Sequence, residues 1–200
     1  MKKMKAGLVA AAILASFSGA ALAEGSFYGA VDVGKSTFKG ACEGTWPGET
    51  CKDTDTALRG IIGYQVNPNL AVEASYANYG AAEYNDNAGL TASASATGFQ
   101  LSAVGSWPIA NAFSLTGKLG LALTKGEVKA AETTPGIEFT YSNDDDTTAL
   151  AWGIGARYDI NQSVAVRAQY ERLGKISFDK TDSTATSPLN LLTAGVIFRF

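Results

Sequence analysis

The sequence has no histidine and only two cysteines among its 200 residues. The missing histidine excludes serine-hydrolase triads and proteases that pair acidic residues with a histidine. The 16 Lys and Arg are outnumbered by 19 Asp and Glu, a balance that argues against nucleic acid as a partner. Beyond the N-terminus, no apolar run reaches the ~18 residues that a transmembrane helix needs. Any crossing of a membrane must therefore be made by strands.

The first 23 residues have the pattern of a cleaved secretory signal peptide. Three lysines among the first five residues precede an apolar stretch over 7–17, and a small-residue motif ends at Ala23. The stretch is too short for a membrane anchor, and no stop-transfer flank follows it. We predict cleavage between Ala23 and Glu24. Residues 24–200 then form one domain with 13 Lys and Arg against 19 Asp and Glu, a net charge of −6.

Cys42 and Cys51 are the two cysteines, and a cysteine pair in an exported chain predicts a disulfide. The bond would close a small loop around Trp46, worth about 2–3 kcal/mol in the loop-entropy model. A redox or metal role fits poorly, because the spacing is wrong and no histidine is present. We expect neither a cofactor nor a metal site.

Eight strand-like runs follow, each with apolar residues at every second position. Long polar segments alternate with short turns between them, and the acidic tract Asp144–Asp146 is expected at a solvated loop tip. The last run ends on Phe200, which suits a barrel whose last strand pairs with its first. The pattern predicts an all-β, eight-stranded, antiparallel up-and-down transmembrane β-barrel. The runs are 27–34, 56–66, 70–79, 96–107, 113–125, 148–160, 164–173 and 189–200.

Nine charged residues within the runs lie opposite the continuous apolar face. A soluble barrel would turn that apolar face inward, whereas a membrane barrel would turn it toward lipid. Aromatic residues near the strand ends resemble an interfacial girdle and favour the membrane barrel. By the same alternation, Lys35, Lys125 and Arg172 fall on the apolar face, but all three lie at the ends of strands next to loops. The charges of the polar face are Asp32, Arg59, Glu73, Lys118, Arg157, Asp159, Arg167, Glu171 and Arg199.

Near-balance of charge on the polar face predicts ion pairs inside the lumen, because an unpaired buried charge is costly. We expect Glu73 to pair with Arg157 or Arg167. We expect Lys118 to pair with Asp32 or Glu171. The alternative is that these side chains are solvated in the lumen without fixed partners. The predicted lumen ion-pair network comprises Asp32, Arg59, Glu73, Lys118, Arg157, Arg167 and Glu171.

Three segments carry a family resemblance: LAVEASYANYG (70–80), SVAVRAQYERLG (163–174) and AGVIFRF (194–200). They resemble the small OmpA-like outer-membrane β-barrel family. The resemblance implies an eight-stranded barrel in a bacterial outer membrane, with a polar lumen filled by ion pairs and water. It also implies a C-terminal strand read by the barrel-assembly machinery, with Phe198 and Phe200 as the assembly signal. Because the sequence stops at the barrel, we do not expect the peptidoglycan-binding domain of full-length OmpA.

These observations predict a monomeric, integral outer-membrane barrel with a largely plugged lumen and a structural and surface-interaction role. Four extracellular loops would meet a host or surface ligand, while the short turns and the C-terminus face the periplasm. Outer-membrane lipids and lipopolysaccharide would surround the wall. The alternative is a small-solute porin or a channel for hydrophobic ligands. An enzyme is not expected, since only the lumen carboxylates of Asp32 and Glu73 could supply acid–base chemistry.

Overall fold

The computed structural model describes residues 25–46, 48–134, 137–177 and 186–200, and the predicted cleavage site at Ala23 and Glu24 lies outside them. Within these residues, no helix is long and apolar enough to cross a membrane. The described chain forms nine strands. They are β1 (Ser26–Phe38), β2 (Thr50–Lys52), β3 (Thr54–Asn67), β4 (Leu70–Asn85), β5 (Leu90–Ala110), β6 (Phe113–Thr134), β7 (Ile137–Asp159), β8 (Val164–Ser177) and β9 (Thr186–Arg199).

Eight of these strands close into one antiparallel barrel. From β3 to β9 each strand pairs with the next, and β1 closes the ring by pairing with both β3 and β9. At this closure Asp32 of β1 lies between Arg59 of β3 and Gly195 of β9. The short β2 lies outside the ring and pairs with the end of β4. The predicted eight-stranded antiparallel barrel is confirmed.

Short turns join the strands at one end of the barrel. Pro68 and Asn69 connect β3 to β4, residues 111–112 connect β5 to β6, and residues 160–163 connect β7 to β8. In the last turn, the side-chain oxygen of Asn161 accepts hydrogen bonds from the backbone N–H groups of Ser163 and Val164, at 2.9 and 2.8 Å. These turns lie where the Asn- and Pro-rich segments predict them.

At the opposite end the strands are longer than their hydrophobic pattern predicts. Pairing of β6 with β7 continues to Thr134 opposite Ile137, and pairing of β5 with β6 continues to Leu90 opposite Glu132. The acidic tract is therefore part of β7, with Asp146 opposite Lys125, and its prediction as a loop tip is wrong. Hydrophobic alternation marks only strands with one buried face. In the acidic tract, Asp144 and Asp146 are exposed and Asp145 is half-buried, so that this stretch lacks a buried face, although its backbone remains paired with β6.

The apolar face of the barrel points outward and the charged face points inward. Ile62 has 69% of its surface exposed, whereas Asp32 has none. This arrangement excludes the soluble barrel, in which the apolar residues would fill the interior. Outward aromatic side chains lie near both edges of the apolar band. Toward the short turns they are Phe27, Trp107, Tyr158 and Phe198, and toward the long hairpins Tyr76, Phe99, Trp152 and Tyr170.

Candidate functional site

The interior of the barrel is built around the carboxylate of Asp32, which is completely buried. Arg59 donates to Asp32 Oδ2 from Nε at 3.1 Å and from Nη2 at 2.7 Å. Arg167 donates from Nε to Oδ1 and from Nη2 to Oδ2, both at 2.9 Å. The room for this carboxylate comes from Gly195, because a Cβ there would lie 2.0 Å from Asp32 Oδ1. Each oxygen of Asp32 is thus held by charge-assisted hydrogen bonds.

Two buried glutamates continue the network on the far side of the lumen. Glu73 Oε1 accepts from Arg167 Nη1 at 2.6 Å and from the Tyr28 hydroxyl at 2.9 Å. Glu171 Oε1 lies 2.5 Å from Arg59 Nη1. Lys118 Nζ lies between the two glutamates, 3.2 Å from Glu73 Oε2 and 3.4 Å from Glu171 Oε2.

Together these contacts form a closed ring of alternating charge, which we call the charge ring. Its order is Asp32, Arg167, Glu73, Lys118, Glu171, Arg59 and back to Asp32. Each member has two neighbours of opposite charge, and three cations balance three anions. This matters because a buried charge is tolerated only where partners and hydrogen bonds offset its lost hydration.

Arg157, the remaining member of the predicted network, lies apart from the charge ring. Its Nε is 3.4 Å from Asp159 Oδ1, and the same oxygen accepts from Arg199 Nη2. This second group lies near the short turns. Of the two partners predicted for Glu73, the structure therefore shows Arg167 and not Arg157 in contact with it. Of the two partners predicted for Lys118, Glu171 is in contact with it, whereas Asp32 contacts Arg59 and Arg167.

Two apolar layers enclose the charge ring, and the sequence reasoning missed both. Much of the layer toward the long hairpins could have been found from the two-residue alternation, for example Phe38 on the strand of Asp32, Tyr79 on that of Glu73, and Leu173 on that of Glu171. Ile176 could not, because an irregularity between Arg172 and Lys175 shifts the alternation. The long-hairpin layer comprises Phe38, Ala57, Ala77, Tyr79, Ala82, Ala96, Ala122, Ala151, Leu173, Ile176, Leu189 and Leu191. The short-turn layer comprises Tyr28, Ala30, Ile61, Ala71, Val104, Ala165 and Ile197.

Little space remains below the charge ring. A cavity of about 20 Å³, lined in part by Glu73, Arg157 and Arg167, has room for about one water molecule. Among the described residues, four buried side-chain atoms outside the ring make no hydrogen bond: Gln100 Oε1, Ser102 Oγ, Arg157 Nε and Asn190 Oδ1. Within the described part of the chain, no group of three or more Cys, Asp or Glu could hold a metal ion.

The segment between β1 and β3 is tied to its surroundings at the long-hairpin end. Cys42 and Cys51 are joined by a disulfide. Asn87, at the tip of the β4–β5 hairpin, donates from Nδ2 to the backbone oxygen of Gly48. Trp46 lies within the loop that the disulfide closes and is 75% exposed. The loop thus holds a large aromatic side chain in solvent on a cross-linked support.

The predicted assembly residues lie on the last strand and its end. Phe198 is half-exposed on the outward face, and Phe200 is the more exposed of the two. The backbone N–H of Phe200 donates to Phe27 O at 3.1 Å, which extends the pairing of β9 with β1. Their role as an assembly signal stays a prediction.

The barrel has known counterparts. Residues 22–200 match the model of the OmpA-like transmembrane domain. The chain belongs to this family. The family resemblance found in the sequence is therefore confirmed, and so is the prediction of an integral outer-membrane protein. As an OmpA-like transmembrane domain, the chain resides in the outer membrane of a Gram-negative bacterium.

Individual relatives agree with this assignment. Outer membrane protein P5 of Haemophilus influenzae is 26% identical over 214 aligned residues, which cover all of this chain and 61% of that protein. The chain thus spans 61% of the length of this curated relative. Neisserial surface protein A has the same fold at 16% identity, with a TM-score of 0.54 over 89% of this chain and all of that one. Outer membrane protein AlkL matches with a TM-score of 0.53 and 16% identity, covering 92% of this chain and 93% of its own.

Proposed function

We propose that this OmpA-like chain is a structural and surface-interaction barrel whose lumen does not conduct solutes. The observation that carries the proposal is the charge ring, closed on itself and enclosed by two apolar layers. An eight-stranded barrel has an interior just wide enough for side chains to fill. Here the six charges of the ring pair with one another, so that the barrel serves as a solid support.

The contents of the lumen disfavour the porin and hydrophobic-channel alternatives. A small ion passing through would meet Phe38, Leu173 and Leu189, which are completely buried. It would then have to separate ion pairs of 2.5–3.4 Å in a medium of low dielectric, where such separation is expensive. A hydrophobic ligand would have to displace the same charges.

The carboxylates of the lumen also disfavour an enzyme. Asp32 accepts from two arginines, and Glu73 accepts from Arg167 and Tyr28. A general acid or base must reach the proton that it transfers, whereas both carboxylates are buried inside the wall. We propose that their role is structural.

The long hairpins supply the surface for interaction. Strands β6 and β7 continue for 11 residues beyond the apolar band, from the pair Leu123–Thr148 to the pair Thr134–Ile137. This length corresponds to about 35 Å at the rise of a strand. We place these hairpins outside the cell and the short turns in the periplasm. The four connections at the hairpin end, with exposed Trp46 in one of them, would then meet a host or surface ligand.

The experiment is deletion of the gene followed by complementation with the wild-type chain or a trimmed chain. In the trimmed chain, residues 127–144 are replaced by Asn-Gly, which joins the opposed residues Gly126 and Asp145 through a favoured hairpin turn. We measure the resistance of cells to large antibiotics and their adhesion to mucin-coated and epithelial-cell-coated wells. The trimmed chain should restore resistance but not adhesion. Full adhesion with the trimmed chain, or no phenotype on deletion, would contradict the proposal.

A further inference from the structure

Four exposed cations form a patch on the outer wall at the long-hairpin end of β1 and β8. Lys35 and Lys39 belong to the β1 side, and Arg172 and Lys175 to β8, with β9 between them. In the pairing register, Arg172 lies opposite Asn190, which lies opposite Thr37. Likewise Lys175 lies opposite Pro188, whose oxygen accepts from the backbone N–H of Lys39. We call these four residues the basic patch.

Among the described residues, no ion pair neutralises the charges of the basic patch. None of the ion pairs formed between described residues includes any of the four. Other cations at this end do have partners: Lys125 Nζ lies 3.4 Å from Asp144 Oδ2, and Lys52 Nζ 3.3 Å from Asp55 Oδ1. The same Asp55 carboxylate accepts from the backbone N–H of Ala81 at 2.9 Å. The basic patch thus has free capacity for an anion.

The basic patch begins where the apolar outer wall ends. The outward residue next below Lys35 is Val33, and the one next below Arg172 is Tyr170. Leu192 of β9 lies opposite both Lys35 and Tyr170 and is 60% exposed. A molecule that contacts both zones must therefore carry anionic groups directly above long apolar chains.

The spacing within the patch suits two cations acting on one headgroup. Lys35 and Arg172 are separated by two strand spacings and by two residues along the strand, or about 12 Å between Cα atoms. Their long side chains can turn toward each other and reach a common anion. Arginine in particular binds phosphate through two parallel hydrogen bonds.

We infer that the basic patch binds the phosphate groups of an acylated, phosphorylated glycolipid of the lipid A class in the outer leaflet. Its acyl chains would lie against Val33, Tyr170 and Leu192. The inference deepens the proposed function, because it rests on the long hairpins being extracellular. It gives the barrel a specific lipid neighbour on the β8–β9–β1 side of its wall.

The test uses Trp152, which lies opposite Arg172 in the register, as a fluorescence donor. The full chain carrying Trp46→Phe and Trp107→Phe is reconstituted in phosphatidylcholine vesicles with a few mole per cent of lipid A that bears an acceptor fluorophore. A second series uses the dephosphorylated form of the same labelled lipid. Energy transfer then reports whether the lipid is enriched around the barrel relative to random mixing.

The variant replaces all four cations: Lys35→Gln, Lys39→Gln, Arg172→Gln and Lys175→Gln. The matched control replaces cations of the same end outside the patch, Lys52→Gln, Lys125→Gln and Lys129→Gln. We expect enrichment of phosphorylated lipid A to fall about tenfold in the variant, since each cation near an anionic headgroup contributes measurably. The control should keep the wild-type enrichment, and dephosphorylated lipid should show none with any chain.

Three results would overturn the inference. The first is unchanged enrichment in the fourfold variant, and the second is equal enrichment of dephosphorylated lipid. The third is patch-dependent binding of soluble inositol hexaphosphate or heparin without lipid enrichment, which would assign the patch to a soluble polyanion. Because both leaflets of the vesicles contain the lipid, enrichment does not depend on orientation. Thiol labelling of the Lys129→Cys variant in intact cells tests sidedness separately, so the proposed orientation can fail while lipid binding holds.

Discussion

Asp32→Asn tests the charge ring at its most connected member. The substitution keeps the shape of the side chain and one acceptor oxygen, but leaves three buried cations facing two anions. Each arginine that Asp32 bridges retains one carboxylate, since Arg59 still contacts Glu171 and Arg167 still contacts Glu73. Removing one partner of a buried ion pair costs about 3–5 kcal/mol. With these contacts kept, we expect the lower end, about 3 kcal/mol of unfolding free energy.

A second substitution separates the energy of the Asp32–Arg59 contact from unspecific destabilisation of the barrel. Arg59→Gln alone leaves two cations facing three anions and should cost a similar amount, about 3 kcal/mol. The double variant restores the balance and leaves the contacts of Arg167 with Glu73 and of Lys118 with both glutamates intact. It should therefore be more stable than the sum of the single effects by about 2 kcal/mol, within the range for residues in contact.

The assay is reversible urea unfolding in phospholipid vesicles, followed by tryptophan fluorescence. Trp107 and Trp152 face outward, so their emission reports loss of the lipid contact. Ser102→Ala is the matched control, because Ser102 is buried on the same inner face and its hydroxyl makes no hydrogen bond. It should change stability by less than about 0.5 kcal/mol. A similarly small effect of Asp32→Asn, or strict additivity in the double variant, would refute the charge ring as a stabilising unit.

Three further predictions address the space around Asp32, the disulfide and the exposed tryptophan. Gly195→Ala should destabilise by about 2 kcal/mol in the same urea assay, because its Cβ would lie 2.0 Å from Asp32 Oδ1 and 2.5 Å from the backbone oxygen of Val31. An Asp32→Ala background removes only the first of these contacts, so the cost should fall there without vanishing. Cys42→Ser with Cys51→Ser should speed trypsin cleavage near Lys39 and Lys52 severalfold while leaving barrel unfolding unchanged, since the bond constrains only that loop. Trp46→Ala should lower cell adhesion without shifting the unfolding midpoint.

The charge ring also fixes the register of the strands. A slip of one residue moves every side chain of a strand to the opposite face. For β8, such a slip would turn Arg167 and Glu171 toward lipid, where a charge at mid-bilayer costs about 2–4 kcal/mol. It would also leave Asp32, Glu73 and Lys118 short of partners. The buried charges thus penalise misregistered barrels more heavily than an apolar interior would.

Alternation alone was sufficient to predict the barrel, because lipid and lumen impose opposite demands on successive residues. It placed Asp32, Arg59 and Glu73 on one face and Val31, Leu58 and Val72 on the other. The same two-residue period extends to Phe38, so part of the long-hairpin layer was within reach of the sequence. What limited the prediction was the assumption that polar stretches are loops.

Other features had no sequence signal. The stretch Asp144–Asp146 of β7 is held by backbone pairing with β6, and none of its three side chains is buried. The order of the charge ring depends on distances across the lumen. The alternation of side chains along a strand gives the face on which a residue lies but not these distances. The alternation and the height allowed Arg157 or Arg167 for Glu73. The two arginines lie opposite each other in the register, and the sequence does not show that the side chain of Arg157 contacts Asp159 while that of Arg167 contacts Glu73.

The most direct test of the central claim is single-channel recording of the purified wild-type chain in planar bilayers. A sealed lumen predicts no reproducible current steps above background at moderate voltage. A matched variant that opens the long-hairpin layer while widening the charge ring, Phe38→Ala with Leu173→Ala and Arg59→Ala, should show steps and proves that the assay detects an open barrel. Steady steps in the wild type that change with Glu73→Gln or Arg167→Gln would contradict the sealed lumen and assign a conducting path through the charge ring.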